Sequence, residues 1–203
     1  MKIFTAGNLS EVFIELRSGK TIVFPTETSY GLGCDATNQL AVDKIFKIKG
    51  RLSEKPLLVV VSSVAMAKEY VVWNDLLEKI AAKYWPGAVT VVGKAKEKKE
   101  KDLARGVVAK DNTLAIRVTA HPLLQSLTGK LGRPLVATSA NLADQGDLYD
   151  SAEVIRQFKE RREQPDIILD YGKLPRRLPT TVVSVVGGIL KVIRQGEVKV
   201  EQI

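Results

Sequence analysis

The chain has 203 residues, 45% of them hydrophobic, which is enough for the core of one domain, and we expect a single domain over residues 1–203. A single cysteine, Cys34, excludes an intramolecular disulfide, and the first residues lack the basic and apolar segments of a signal peptide, so we expect a cytoplasmic protein. The net charge of +8 favours polyanionic partners such as nucleotide phosphates or nucleic acid. No apolar run approaches the roughly 18 residues that span a bilayer, so we expect no membrane contact.

The first half of the chain predicts short strands separated by helices. Its most apolar run, over 57–61, is typical of a strand that is buried on both faces in the middle of a sheet. In chain order we predict a helix from the capping pattern Asn8–Glu11 to Gly19, a strand over 21–24, a helix from Asn38 to Gly50, the strand over 57–61, a short helix from Ser62 or Ser63, a helix from Asn74, a strand over 88–92 and a charged loop over 94–101.

The second half continues the same alternation and ends in a hairpin. In chain order we predict a strand over 113–118, a helix from Pro122, a strand over 135–138, a helix after Asp150, a strand over 167–169, and then a hairpin of 181–186 with 189–193. The hairpin turn is Gly187-Gly188. About seven strands and five or six helices of this kind indicate an α/β fold with a mixed parallel and antiparallel sheet.

A hydroxyl-rich stretch follows the strand over 21–24, as Pro25-Thr-Glu-Thr-Ser-Tyr30. If the backbone stays extended there, Thr26, Thr28 and Tyr30 share one face, and Glu27 and Ser29 share the other. Three hydroxyls on one face favour a site for a small polar ligand, and a hydroxyl-rich turn is the alternative. The G-x-G-x-x-A pattern over 31–36 does not open the predicted helix, so we do not expect it to bind NAD or flavin.

Cations cluster where the second helix ends. Lys49 follows Val42, Ile45 and Phe46 at helical spacing, which places its ammonium on the apolar face, where a cation is costly unless it is paired. Arg51 and Lys55 come directly after it. Three cations at the start of a sheet strand indicate a phosphate site, and favourable placement at a helix C-terminus is the alternative for Lys49.

Polar groups also occur at other strand ends, and this pattern is typical of a ligand crevice at one edge of an α/β sheet. They are Arg117, Thr138-Ser-Ala-Asn141, Thr180-Thr181 and Arg194. The only histidine, His121, is expected to lie near a helix cap, and no His/Cys cluster offers a zinc site. Cations and hydroxyls without an obvious nucleophile suit nucleotidyl transfer, in which positioning and charge neutralisation carry most of the catalysis.

Seven ordered blocks between residues 21 and 198 resemble the YrdC-like threonylcarbamoyl-AMP synthases. The blocks are PTETSYGLGCDA (25–36), IKGRLSEKPL (48–57), YWPGAVTVV (84–92), LAIRVTAHP (114–122), TSANL (138–142), PTTVV (179–183) and IRQGEV (193–198). The resemblance implies a single domain with a twisted mixed sheet, flanking helices and a concave basic cavity. It also implies an L-threonylcarbamoyladenylate synthase that uses L-threonine, bicarbonate and ATP with Mg²⁺, releases pyrophosphate and performs the first step of threonylcarbamoyladenosine formation in tRNA.

The resemblance also implies roles for individual residues. Those matched to L-threonine are Thr28, Arg117, Ala137 and Thr180. Those matched to ATP are Lys49, Arg51, Lys55, Thr113, Ser139, Asn141 and Arg194, and Lys49 and Arg51 are the expected catalytic residues. Metal ligands are not implied. The chain departs from the family pattern at Leu52, in place of proline, at Ala143-Asp144, in place of Ser-Gly, and at Asp147, in place of a nucleotide-contacting serine, so that last role is not carried over.

A non-catalytic RNA-binding module that uses the basic cavity is the alternative function. Such a module would use interleaved surface aromatics, and these are scarce at 6% aromatic content. The family further implies contact with tRNA or RNA and downstream tRNA threonylcarbamoyl-transfer proteins as partners.

Overall fold

The computed structural model describes residues 1–50, 56–97, 103–142 and 145–201. The strands are β1 (Lys2–Thr5), β2 (Ile22–Pro25), β3 (Tyr30–Gly33), β4 (Val59–Val61), β5 (Val89–Lys94), β6 (Thr113–Val118), β7 (Leu135–Val136), β8 (Thr138–Ser139), β9 (Ile167–Asp170), β10 (Thr181–Ser184) and β11 (Lys191–Arg194). The helices are α1 (Leu9–Arg17), α2 (Gln39–Lys49), α3 (Val64–Tyr70), α4 (Asp75–Tyr84), α5 (Pro122–Leu131) and α6 (Ser151–Phe158). Short 3₁₀ turns cover Ala6–Asn8 and Val186–Gly188.

The strands form two mixed sheets. One has the order β1-β9-β2-β3-β8, and the other has the order β11-β10-β5-β6-β4-β7. Each contains both parallel and antiparallel pairs: β2 pairs parallel with β9 and antiparallel with β3, and β6 pairs parallel with β4 and antiparallel with β5. The single-domain α/β fold with mixed pairing that the sequence predicts is therefore confirmed.

Helix starts follow the capping residues that the sequence offers. The side chains of Asn38, Ser63, Asn74 and Asp150 each accept a backbone N–H from the first turn of the helix that follows. Asn8 precedes α1 as predicted, but its side chain accepts the backbone N–H of Thr5 and so caps the preceding 3₁₀ turn. The helices begin where predicted because these short polar side chains satisfy orphan amides.

The core explains the position of β4. All three of its residues, Val59, Val60 and Val61, are completely buried, and the strand lies between β6 and β7 in the six-stranded sheet. The prediction of a mid-sheet strand is confirmed. Val60 packs in a cluster with the residues of α1 and α5, while Val59 and Val61 pack in the larger cluster on the opposite face. Helices thus cover both faces of this part of the sheet.

The predicted strands differ from the structure in three places. The strand over 135–138 is two strands, since Ala137 carries the chain from the six-stranded sheet to the five-stranded one. Tyr30–Gly33 was not predicted as a strand and is β3, whose glycines are needed for a close approach: a Cβ on Gly33 would lie 1.7 Å from the carbonyl oxygen of Val136. β1 was missed because this short, largely exposed strand shows no apolar alternation.

No helix in the described ranges is both long enough and apolar enough to cross a membrane.

Candidate active site

A cavity of about 620 Å³ opens where the two sheets meet. The five-stranded sheet contributes the β2–β3 hairpin and β8, and the six-stranded sheet contributes β5, β6 and the β10–β11 hairpin. Residues 56–58 and 145–147 complete the described part of its wall. A crevice of this size between sheets is typical of a small-molecule site.

The hydroxyl-rich stretch is the tight turn of the β2–β3 hairpin, in which Pro25 pairs with Tyr30. The Thr26 amide donates to the carbonyl of Ser29, and the Thr26 hydroxyl accepts the amides of Thr28 and Ser29. The expected extended backbone with alternating faces was therefore wrong, because the chain reverses here. The turn interpretation is confirmed, because Thr26 builds the turn. Thr28 and Ser29 also line the cavity, and a small polar ligand at these hydroxyls stays a prediction.

Arg117 and Glu27 form a buried ion pair on one wall of the cavity. Arg117 projects from β6, is only 3% exposed and lines the cavity, and its Nη1 lies 2.7 Å from Oε2 of Glu27 in the hairpin turn. Burial acts to raise the pKa of Glu27, but the Arg117 charge and a hydrogen bond from Thr119 outweigh it and lower the pKa from 4.5 to about 2. The carboxylate is therefore ionised at neutral pH, and the pair is charge-balanced.

On the opposite side of the cavity, Thr180 contacts side chains of two strands, β5 and β11. Its hydroxyl lies 3.0 Å from the Thr90 hydroxyl of β5. Arg194, at the end of β11, donates from Nη2 to the Thr180 carbonyl at 2.8 Å and to the Thr180 hydroxyl at 3.2 Å. The close approach of the chain behind Thr180 requires glycine at Gly196, where a Cβ would lie 2.1 Å from the Pro179 carbonyl oxygen. The hairpin thus presents a hydroxyl and a guanidinium together.

Lys49 lies behind the chain segment that contains β8. Lys49 is 5% exposed, and its ammonium donates to the carbonyls of Ser139, at 2.8 Å, and Asn141, at 2.6 Å, as well as to Oδ1 of Asn141 at 2.9 Å. The prediction that a cation on the apolar face of α2 must be paired is confirmed, and backbone carbonyls provide the pairing. Lys49 therefore holds the Ser139–Asn141 segment in place.

The predicted site residues separate into three groups. Six line the cavity together: Thr28, Arg117, Ala137, Ser139, Thr180 and Arg194. Lys49, Asn141 and Thr113 do not line it, and the Thr113 hydroxyl donates to Asp111 at the start of β6. Arg51 and Lys55 lie outside the described residues, as do Leu52 and Ala143-Asp144. The roles that the resemblance gives these residues remain predictions.

Two residues at or beside the cavity were missed or left open by the sequence. Glu27 received no role, and its cationic partner Arg117 lies ninety residues further along the chain, so no local pattern identifies the pair. Asp147, for which the serine role was withheld, lines the cavity and is the acidic side chain among its described lining residues. The described lining residues thus include two arginines and one aspartate, and the basic character of the whole cavity stays a prediction.

His121 has the position that the sequence predicts, and Cys34 is a buried structural residue. Cys34 is completely buried, and burial raises the pKa of its thiol, so it packs as a small apolar residue. His121 occupies the N-cap position of α5, where burial lowers its pKa. Among the residues that the structure describes, no group of three or more His, Cys, Asp or Glu side chains could hold a metal ion.

The fold and the cavity define a class of α/β proteins in which two mixed sheets meet at a polar crevice with a buried arginine. The chain belongs to the Sua5/YciO/YrdC family, which is described as "Telomere recombination" and matches residues 15–196.

Curated and structural relatives agree with this membership. A threonylcarbamoyl-AMP synthase from Pseudoalteromonas translucida (strain TAC 125) is 38% identical over 72% of this chain and 78% of the relative. P. abyssi Sua5 complexed with L-threonine has a TM-score of 0.81 at 27% identity, over 91% of this chain and 54% of the other. E. coli YciO shares the fold, with a TM-score of 0.84 at 23% identity over 97% and 96% of the two chains. This chain thus spans just over half the length of that Sua5 protein.

Proposed function

We propose that this protein is an L-threonylcarbamoyladenylate synthase, which makes L-threonylcarbamoyl-AMP and pyrophosphate from L-threonine, bicarbonate and ATP. Curated homologues at 34–38% identity carry the name threonylcarbamoyl-AMP synthase, and the family matches nearly the whole chain. The product is an activated carbamoyl adenylate for transfer to tRNA. Cytoplasmic location, tRNA contact and downstream transfer proteins belong to the same proposal.

The buried guanidinium of Arg117 is the observation that carries the proposal. It lines the cavity, yet its Nε is buried and has no hydrogen-bond acceptor among the described residues. A buried guanidinium N–H that lacks an acceptor is costly, and a substrate carboxylate would satisfy it. The hydroxyls of Thr28 and Thr180 line the same cavity and can hydrogen-bond the hydroxyl of a small amino acid.

In the proposed reaction, the threonine amine forms a bond to the carbon of CO₂ and releases a proton, or forms a bond to the carbon of bicarbonate while a C–O bond breaks and water leaves, and a carbamate results. A carbamate oxygen then attacks the α-phosphorus of ATP, and the bond to the β-phosphate breaks with release of pyrophosphate. Arg117 holds the substrate carboxylate, and Ala137 leaves room beside it. Arg194, with the predicted cations Arg51 and Lys55, neutralises charge on the triphosphate.

Mg²⁺ enters this proposal as the companion of ATP. A carboxylate oxygen is a ligand type that Mg²⁺ prefers, and Asp147 supplies one in the cavity wall. Ser139 also lines the cavity, and Lys49 and Asn141 fix its position from behind. We assign these residues and Thr113 to the nucleotide side, and in this assignment Lys49 acts by holding the segment that contacts the nucleotide.

The decisive experiment measures pyrophosphate release from ATP and bicarbonate in the presence and absence of L-threonine. Threonine-dependent release with formation of the carbamoyl adenylate supports the synthase. RNA binding without any threonine-dependent release would instead favour the non-catalytic RNA-binding module. Lys79→Ala is a suitable control variant, since Lys79 is an exposed residue of α4 that does not line the cavity, and its activity should match that of the wild type.

A further inference from the structure

Glu27 connects the β2–β3 turn to the far end of β6. Its Oε1 accepts hydrogen bonds from the Thr119 hydroxyl at 2.7 Å and from the amides of Ala120 at 2.5 Å and His121 at 3.2 Å. These donors lie between β6 and α5, more than ninety residues away along the chain. One carboxylate oxygen is therefore fully used in holding two distant segments together.

The second oxygen of Glu27 faces the guanidinium. Oε2 lies 2.7 Å from Nη1 of Arg117, and the side chains of Glu27 and Arg117 are 14% and 4% exposed. A guanidinium has five N–H donors in a fixed plane, so one contact with Glu27 leaves others for a second carboxylate. The contact is an ion pair, and neither Oε2 nor Nη1 makes a hydrogen bond to the described residues. Because Oε1 is anchored to the backbone of residues 120 and 121, Oε2 holds a negative charge at a fixed position beside the guanidinium.

The negative charge of Glu27 also affects which ligands Arg117 attracts. The cavity must admit a zwitterion of zero net charge beside a nucleotide that carries about four negative charges. An unbalanced, desolvated arginine would attract phosphates and other simple anions as strongly as an amino-acid carboxylate. At longer range, the negative charge of Glu27 cancels most of that attraction. At short range, the guanidinium N–H groups can still donate to the carboxylate of an amino acid, whose own charge is balanced by its ammonium group.

We infer that Glu27 is a positioning and specificity-determining residue: it orients Arg117 toward the carboxylate of the amino-acid substrate and prevents simple anions and nucleotide phosphates from occupying that subsite. The inference rests on the proposed function for the identity of the amino acid. It assigns a role to a side chain that touches neither substrate and acts only through Arg117 and the hairpin turn.

Glu27→Gln separates the two tasks of this side chain. The amide oxygen can still accept from Thr119 and Ala120, while the amide nitrogen, a donor, faces a guanidinium that is also a donor. We expect L-threonine to bind about 10- to 100-fold more weakly, with KM for ATP unchanged within about twofold, because a misplaced positioning group costs factors of this size. We also expect inorganic sulfate to become a competitive inhibitor against threonine, with at least a tenfold lower inhibition constant than in the wild type.

Two further variants distinguish this role from a purely structural one. Glu27→Asp retains the charge, so sulfate should inhibit it no more than the wild type even if threonine binding weakens. Thr119→Val removes one anchoring hydrogen bond and should lower the melting temperature without creating sulfate inhibition. Should Glu27→Gln fail to fold, Glu27→Ala would be tested in the same way.

Direct binding of L-threonine, measured by calorimetry with and without sulfate, separates this inference from the proposed function. A wild-type protein that binds threonine but releases no pyrophosphate would contradict the synthase proposal and leave the role of Glu27 testable by binding alone. A folded Glu27→Gln protein that binds threonine within twofold of the wild type and is insensitive to sulfate would overturn the inference. Equal losses of threonine and ATP binding would overturn it as well.

Discussion

The two arginines of the cavity come from very different parts of the same sheet. Arg117 projects from β6, in the interior of the six-stranded sheet, and is buried and paired with Glu27. Arg194 ends β11, the edge strand, whose four residues are all exposed, and it bonds to a backbone carbonyl and hydroxyl of Thr180. Arg117 is thus held in place by a carboxylate that balances its charge. Arg194 is exposed to solvent, and no carboxylate among the described residues balances its charge.

This difference matches the two ligands of the proposed reaction. Threonine is small and electrically neutral, so its recognition depends on fixed geometry, which a buried strand supplies. The triphosphate is large, strongly charged and must leave as pyrophosphate, so it needs an accessible cation on an element that can adjust. The predictions below test this division of the cavity, beginning with the largest expected effect.

Discrimination between amino acids should be the largest effect on the fixed side. A site that hydrogen-bonds a substrate hydroxyl can reject the analogue without it by a factor on the order of 10⁴, whereas a missing methyl group changes discrimination only about 10- to 200-fold. We therefore expect L-valine to be a far poorer substrate than L-serine, and L-serine to be poorer than L-threonine. Rates of pyrophosphate release with the three amino acids test this order, and valine as active as threonine would contradict the assignment of Thr28 and Thr180.

Arg117→Ala should give the next largest effect. Removal of one partner of a buried charge pair typically costs about 2–5 kcal/mol, which corresponds to losses of roughly 30-fold to several thousandfold in kcat/KM for threonine. Glu27 would also be left buried without its cation, so the melting temperature should fall. Nucleotide binding should change much less, because Arg194 and the predicted phosphate contacts stay in place. Calorimetric titrations with threonine and with ATP separate the two, and a variant that loses ATP binding first would contradict this assignment.

The ion pair should also appear in the acid stability of the protein. The pKa of Glu27 is lowered from 4.5 to about 2, so its contribution is fully present above pH 4.5 and is lost as the pH falls through about 2. A shift of this size corresponds to about 3 kcal/mol of unfolding free energy. The stability difference between the wild type and Glu27→Gln should therefore shrink by about 3 kcal/mol between about pH 5 and pH 2. Chemical unfolding at several pH values measures it, and a difference independent of pH would show that the pair does not stabilise the fold.

Local features of this fold could be predicted from sequence because their causes are local. Helix starts at Asn38, Ser63, Asn74 and Asp150 follow from side chains that cap amides two or three residues ahead. The burial of Val59–Val61 follows from an unbroken apolar run, and the final hairpin follows from Gly187-Gly188. Each of these signals lies within a few residues of the structure that it predicts.

The remaining features depend on contacts between distant residues. Lys49 was recognised as a cation that needs a partner, but its partners are carbonyls about ninety residues further along the chain. Glu27 received no role because Arg117 is equally remote, and β3 was not predicted because it becomes a strand only through pairing with β2 and β8. Of the six predicted residues that line the cavity, Arg117, Ser139, Thr180 and Arg194 were grouped by the strand-end pattern and Thr28 by the hydroxyl-rich stretch, whereas Ala137 followed from the resemblance alone.

Arg194→Ala should give the smallest of these effects and the clearest contrast with Arg117. Because Arg194 is exposed and has no acidic partner among the described residues, its removal leaves no buried charge behind, and stability should change by less than about 0.5 kcal/mol. Loss of one charge-assisted contact to phosphate should weaken ATP binding by about 1.5–3 kcal/mol, a factor of roughly 10 to 150, with threonine binding nearly unaffected. Lys191→Ala removes a cation from the opposite end of β11, which does not line the cavity, and is the matched control. ATP titrations and thermal unfolding of the two variants test the contrast: if Lys191→Ala weakens ATP binding as much as Arg194→Ala, the effect is one of overall charge and not of a phosphate contact at the cavity edge.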